Sequence, residues 1–362
     1  MRVGVPRETK SGETRVALTP DGAHALAARG HRVTVESGAG ASAGLPDDAY
    51  LAVGAVVGTA AEAWEADLVV KVKEPQPNEL ALLRGNVLVT FLHLAANRVL
   101  ADALVAAGTT ALSYDTVRLP DGTLPLLTPM SEVAGRLAVL AGAHHLLTPH
   151  GGRGVLLSGV PGVPGARVTV LGAGVAGSHA IAQAVAMGAE VTAIDLSLEA
   201  LRRIDARHGG AVRTLASTEG AIADEVRASD LVIGAVLVPG RPAPTVVSHA
   251  MVAAMRPGSV LVDIAIDQGG CLADSVPTTH ADPVRRVEGA LIYAVANMPA
   301  AVGATATRAL TNATLPYLLR LADGVDDAVA GDPALAAGVN VRGGRIVHPA
   351  VAEAFGTASA PA

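Results

Sequence analysis

The 362 residues carry 27 Lys and Arg against 33 Asp and Glu, a formal charge of −6 that argues against a nucleic-acid partner, which needs a clustered basic face. Half of the residues are apolar and only 17% are charged, so the chain is neither disordered nor a solvating tail, and its length fits two domains. The lone Cys271 excludes a disulfide framework, no apolar run approaches the ~20 residues of a spanning helix, and the first residues lack a secretion-signal layout, so a soluble cytoplasmic protein is expected.

Short apolar runs alternate with helix-length segments, the rhythm of α/β units. Strands are expected at residues 2–5 and 31–36 with a helix at 20–29 between them. Further strands follow at 68–71, 87–91 and 110–113, with a helix at 98–107 between the last two. The second half repeats the rhythm with strands at 167–171, 190–194, 231–234, 259–264 and 290–294, and an alanine-rich helix at 176–187. After Pro299 the strand pattern stops, and a helix near 306–321 is expected to lead away from the sheet. With aromatics at 2%, the core must come from Val, Leu, Ile and Ala, which suits buried parallel strands. The chain reads as leaving a first domain, building a second, and returning.

The strongest local signal is the strand Val168-Thr169-Val170-Leu171 running into Gly172-Ala173-Gly174-Val175-Ala176-Gly177. In a strand–turn–helix setting, Gly172 permits the tight turn, Gly174 lets the backbone approach a pyrophosphate, and Gly177 allows close helix–strand packing. The helix N-terminus then offers unpaired amides to phosphates. The next strand ends at Asp195, eighteen positions after Gly177. An acid there binds both ribose hydroxyls and repels a 2′-phosphate, which favours NAD over NADP. A helix cap or solvated turn is the rival role for Asp195.

Other polar residues stand inside apolar or proline-rich segments. Arg15 follows Gly12-Glu13-Thr14, Lys71 and Lys73 close a strand, and His93 ends another. In the second half, Asp263 and Asp267 lie on and just past a buried strand. Ligands of open parallel sheets sit beyond the carboxyl ends of strands, where Lys73, His93 and Asp267 fall. Arg15 has a rival role as an ion-pair partner of Glu8 or Glu13, and Lys71 reads as structural.

Residues 1–10 with Arg15, 72–75, 90–95, 130–136, 151–162, 172–177, 234–240, 261–271, 295–300 and 310–317, in colinear order, resemble bacterial L-alanine dehydrogenase. The resemblance implies a Rossmann-type doubly wound parallel sheet (128–304) inserted into a second, flavodoxin-like α/β substrate domain (1–127 and 305–362). It implies NAD-dependent, reversible oxidative deamination of L-alanine to pyruvate and ammonium. It places Arg15 on the substrate carboxylate, Lys73 on the keto oxygen, His93 in proton transfer, and Asp267 beside water or ammonia and the cationic imine. Among cofactor contacts it places Ser131 near the nicotinamide and Ser217 near the adenine side. Val236 and Leu237 would lie under the cofactor, and Ile264, Asp267, Val295, Asn297 and Met298 would close around the ring.

The family's assemblies are homohexamers, sometimes dimers, with no membrane or nucleic-acid partner implied. Two positions that serve a magnesium ion in some relatives depart here: Asp115 stands where Glu is usual, and Gly324 where some members have His. No metal is therefore expected. The cofactor subunit of proton-pumping transhydrogenase shares this ancestry but carries a longer segment after the second Rossmann strand. A dehydrogenase for another small L-amino acid and a catalytically silent NAD-binding module remain as alternatives.

Overall fold

The computed structural model describes residues 1–236 and 243–356. The chain divides into two compact units, Met1–Met130 with Ala300–Ala362, and Ser131–Pro299. Among the described residues, no helix is long and apolar enough to cross a membrane.

In the first unit, β1 (Arg2–Val5), β2 (Arg32–Glu36), β3 (Val56–Gly58), β4 (Leu68–Val70), β5 (Val87–Thr90) and β6 (Thr110–Ser113) run parallel in the order β3-β2-β1-β4-β5-β6. Every residue of β4 and all but the first of β1 are buried, as expected for strands covered on both faces. The helix Pro20–Ala27 starts where Thr19 caps the amide of Gly22, with Pro20 in the first turn, where its missing N–H costs nothing. The helix Gly303–Asp323 buries Ala306, Leu310, Leu318 and Leu321 against the same core.

The second unit holds β7 (Arg167–Leu171), β8 (Glu190–Asp195), β9 (Val212–Ala216), β10 (Leu231–Gly234), β11 (Val260–Asp263), β12 (Val284–Val287) and β13 (Ala290–Tyr293). Their order is β9-β8-β7-β10-β11-β13-β12, parallel except for the antiparallel edge strand β12. Both sheets therefore reverse winding direction beside their first strand, between β1 and β4 and between β7 and β10. Such a switch point opens a crevice beyond the strand ends.

One expectation is corrected. Strands do not stop after Pro299, because β14 (Val339–Arg342) pairs antiparallel with β6 and β15 (Arg345–Ile346) pairs with β14. The link between them is Gly343-Gly344 with φ of 58° and 68°, the left-handed pair that a two-residue hairpin turn requires. Asn340 is buried in β14 because its amide donates to Thr116 Oγ1 (2.8 Å) and the Gly338 carbonyl (3.0 Å).

The helix Thr128–His145 ends on a buried imidazole. Burial, followed by the neighbouring His144 and His150, pushes His145 down to about 4. A group with a depressed native value contributes stability above its unfolded value near 6.5, and that contribution is lost as pH falls toward 4. Between pH 7 and pH 5 the loss should reach about 2 kcal/mol. Urea unfolding of His145→Leu should show a correspondingly flatter acid limb than the parent. Parallel pH profiles would remove His145 from the acid response.

Candidate active site

In the second unit, β7 delivers a turn whose glycines have separate reasons. Gly172 has φ 98°, and a Cβ there would meet the Ala235 carbonyl oxygen at 2.6 Å. A Cβ on Gly177 would overlap the Gly172 carbonyl oxygen, so the helix Val175–Ala186 lies directly on the turn. Around Gly174 a Cβ would meet nothing within 4 Å, and no side chain caps this helix. Open backbone and uncapped amides at the positive end of a twelve-residue helix suit a diphosphate.

Asp195 ends β8 and holds that turn. Its Oδ2 accepts from the Ala173 amide at 2.5 Å and its Oδ1 from the Ser197 amide at 2.6 Å. The turn role weighed for Asp195 is thus present, and a carboxylate with about four acceptor sites can also accept ribose hydroxyls. Ser217 lies alongside, its amide donating to the Asp195 carbonyl at 2.9 Å. Ser131 is half-buried near the start of its helix, and Val236 is half-buried after β10. Leu237 lies outside the described residues. Ile264 is half-buried, whereas the Val295 and Met298 side chains belong to the core.

Asp267 is exposed on the short 3-10 turn Ile264–Gln268 and accepts from the Asn297 amide at 3.3 Å. The turn is organised by Asp263, fully buried at the end of β11. Its carboxylate accepts from the amides of Ala265 (3.0 Å), Cys271 (2.9 Å) and Leu272 (3.3 Å), and from Ser275 Oγ (2.6 Å). Burial, then the adjacent Asp263 charge, drives the Cys271 thiol well up from its ordinary range. Cys271 is thus a packing residue and not a nucleophile.

The first unit gathers the remaining residues. Arg15 is buried, with its Nε and Nη2 paired to Glu13 (2.7 and 2.6 Å) and its Nη1 2.9 Å from Met130 Sδ. One edge of the guanidinium, Nε and Nη2, is therefore fixed in orientation by Glu13. Lys73 is buried three residues past β4, and its amide donates to Glu8 at 3.3 Å. The Phe91 amide donates to the Val72 carbonyl at 3.1 Å, tying the segment beyond β4 to the one beyond β5 that carries His93.

His93 is 42% exposed and its ring stacks on Phe91 at 6.0 Å between centroids. Its Nδ1 lies 3.7 Å from Asp115 Oδ2, while the other Asp115 oxygen accepts from the Ser113 hydroxyl. Among the described residues only His93, Asn297 and Glu288 are non-glycines with positive φ. Two of the three are residues the sequence named. Such backbone costs of order 1–3 kcal/mol and clusters at functional sites. Among the described residues, no group of three or more His, Cys, Asp or Glu side chains is arranged to hold a metal ion.

Glu13 and Asp263 are the residues whose importance pattern reading underrated. Each has a buried carboxylate a few residues from the one it positions, two before Arg15 and four before Asp267, and neither leaves a periodic signature.

The models of the two halves of one family match in succession: alanine dehydrogenase/PNT, N-terminal domain, over residues 4–134, and alanine dehydrogenase/PNT, C-terminal domain, over residues 138–349. The alanine dehydrogenase of Halomonas elongata is 52% identical over 360 residues, covering 98% of this chain and 97% of that protein. A solved L-alanine dehydrogenase superposes with a TM-score of 0.95 at 49% identity, covering 98% of this chain and 99% of its own. A transhydrogenase structure from Sinorhizobium meliloti follows at 0.82 and 30% identity, covering 97% and 100%. Two domain models in the right order and half of all positions identical leave one conclusion: the chain is an oxidoreductase belonging to the alanine dehydrogenase/PNT family.

Proposed function

We propose that the chain catalyses the reversible oxidative deamination of L-alanine to pyruvate and ammonium, with NAD as the cofactor. The observation that carries the reading is its near-full-length likeness, at 52% identity, to a protein named alanine dehydrogenase. The glycine turn, its open position at Gly174 and the Asp195 carboxylate suit a dinucleotide. When bound, NAD supplies the acceptor for the hydride leaving the alanine Cα. The turn shaped by Gly172 and Gly177 would hold its phosphates at Gly174 and Asp195 would hold its ribose, with Ser131, Ser217, Val236, Leu237, Ile264, Val295, Asn297 and Met298 as further contacts.

The chain's own side chains perform the rest. Arg15, oriented by Glu13, binds the substrate carboxylate with charge-assisted hydrogen bonds. Lys73 polarises the oxygen that becomes the pyruvate carbonyl. His93 moves protons between attacking water and departing ammonia, a task suited to an imidazole near neutral pH. Asp267 orients that water and stabilises the cationic imine by its charge.

The test is direct. Purified protein with NAD and L-alanine at alkaline pH should generate NADH absorbance, faster than with glycine, L-serine or L-valine. Binding of NAD without turnover on any of these would establish a silent module in place of an enzyme. Faster turnover on another amino acid would reassign the substrate.

Asp195→Ala should lower the preference for NAD over NADP about tenfold in kcat/KM, the scale of one good charge-assisted contact. An unchanged ratio would leave Asp195 with the turn alone. We further assign a cytoplasmic homo-oligomer, a hexamer or else a dimer, which light scattering resolves.

A further inference from the structure

We infer that the buried triad Glu8–Lys71–Glu79 is a positioning device for Lys73. This deepens the proposed reading and rests on Lys73 as a substrate-binding residue. The triad sits at the β1–β4 switch point, where Glu8 follows β1 and Lys71 follows β4. Lys71 is 0% exposed, and its Nζ lies 3.2 Å from Glu8 Oε2 and 3.0 Å from Glu79 Oε1. An ordinary structural ion pair would stop there.

Here each carboxylate also grips the backbone of the segment that carries Lys73. Glu8 accepts from the Val72 amide at 2.6 Å and from the Lys73 amide at 3.3 Å. Glu79 accepts from the Gln76 amide at 2.8 Å through its second oxygen. Residues 72–76 are thus held from both ends by two carboxylates pinned to one ammonium. The Trp64 ring, 5.8 Å from the Lys71 nitrogen, helps close that ammonium off from water.

Burial raises the Glu8 carboxyl, opposed by Lys71 and the Val72 amide. Burial also opposes the charge on Lys71, but Glu8 and Glu79 together hold its ammonium above the ordinary lysine range. A buried ion triad is weak evidence of net stability, since apolar replacements often do as well. Its retention beside Lys73 fits a positional role better, because a hydrogen-bonded carboxylate fixes backbone direction and an apolar side chain does not.

The experiment compares steady-state kinetics of Glu8→Gln, Glu79→Gln and Lys73→Ala in the direction of pyruvate reduction. A glutamine at position 8 must turn its NH2 either toward the Val72 amide or toward Lys71 and the Lys73 amide together, so at least one contact is lost in either orientation. The pyruvate KM should then rise about tenfold, the worth of one charge-assisted hydrogen bond, while the NADH KM stays within about twofold. Glu79→Gln likewise leaves one oxygen for two donors, Lys71 Nζ and the Gln76 amide, but Glu79 does not touch the Lys73 backbone, so the pyruvate KM should rise less. It also serves if Glu8→Gln does not fold.

A general structural loss would instead lower kcat and stability with the pyruvate KM unmoved in both glutamine variants, which overturns the positioning role. Lys73→Ala separates the two levels. If it raises the pyruvate KM while neither glutamine variant does, the inference falls alone. If Lys73→Ala leaves the pyruvate KM as in the parent, the substrate role of Lys73 falls and takes the inference with it.

Discussion

His93→Ala is expected to reduce turnover by about 10²–10⁴-fold, the range for loss of a positioned acid–base group, while NAD affinity stays within about twofold. The selectivity of that effect follows from where the residue sits. His93 belongs to the first unit, whereas the glycine turn and Asp195 belong to the second. Its side chain is 42% exposed, so truncation leaves no cavity in the core and thermal stability should hardly change. The ring is aimed by its own backbone, at φ 46° and ψ 41°, and by stacking on Phe91. Alanine keeps the backbone and discards the imidazole. Added imidazole should therefore restore part of the lost rate, a recovery that a purely structural defect would not show. Turnover within about threefold of the parent would take His93 out of the chemistry.

How much of this was legible in the sequence depended on burial. The central strands of both sheets are covered on two faces and read as apolar runs, and β1, β6, β7 and β10 match their expected bounds. The four strands at the sheet edges, β3, β9, β12 and β15, were all missed. Each is short or polar, as in Val284-Arg285-Arg286-Val287, because an edge strand must discourage further pairing and cannot be uniformly apolar. β14 was overlooked for its brevity alone, since Val339-Asn340-Val341-Arg342 alternates apolar and polar residues and Gly343-Gly344 was a readable hairpin turn.

The site divides along the same line. The glycine turn and Asp195 were legible because a strand, a turn and a helix must follow each other at fixed spacing. Glu13 was legible as the rival partner of Arg15, a pairing that is present; the contacts of Glu8 and Asp263 were not, since a buried carboxylate that accepts backbone amides has the same letter as a solvated one. Only the folded chain shows what it accepts from. The left-handed backbone of His93 and Asn297 likewise has no counterpart in residue order.

Asp267→Asn should lower kcat by about 10²-fold or more, the scale for removing an electrostatic stabiliser, with stability and NAD affinity close to the parent. The substitution is nearly isosteric, and its remaining carbonyl oxygen can still accept from the Asn297 amide, so what disappears is the charge. An exposed position tolerates that loss of charge without a folding cost. Asp263→Asn, four residues earlier, should behave in the opposite way. There the carboxylate is buried among three amides and one hydroxyl, all donors, and an NH2 group placed among them leaves at least one donor facing another. The cost is on the order of 1–3 kcal/mol of stability, visible as a lower unfolding midpoint. Two acids on one turn thus separate by measurement, Asp267 through turnover and Asp263 through unfolding. If a well-folded Asp267→Asn turned over normally while Asp263→Asn lost activity without losing stability, the charge that serves the imine would have to be placed on Asp263 instead.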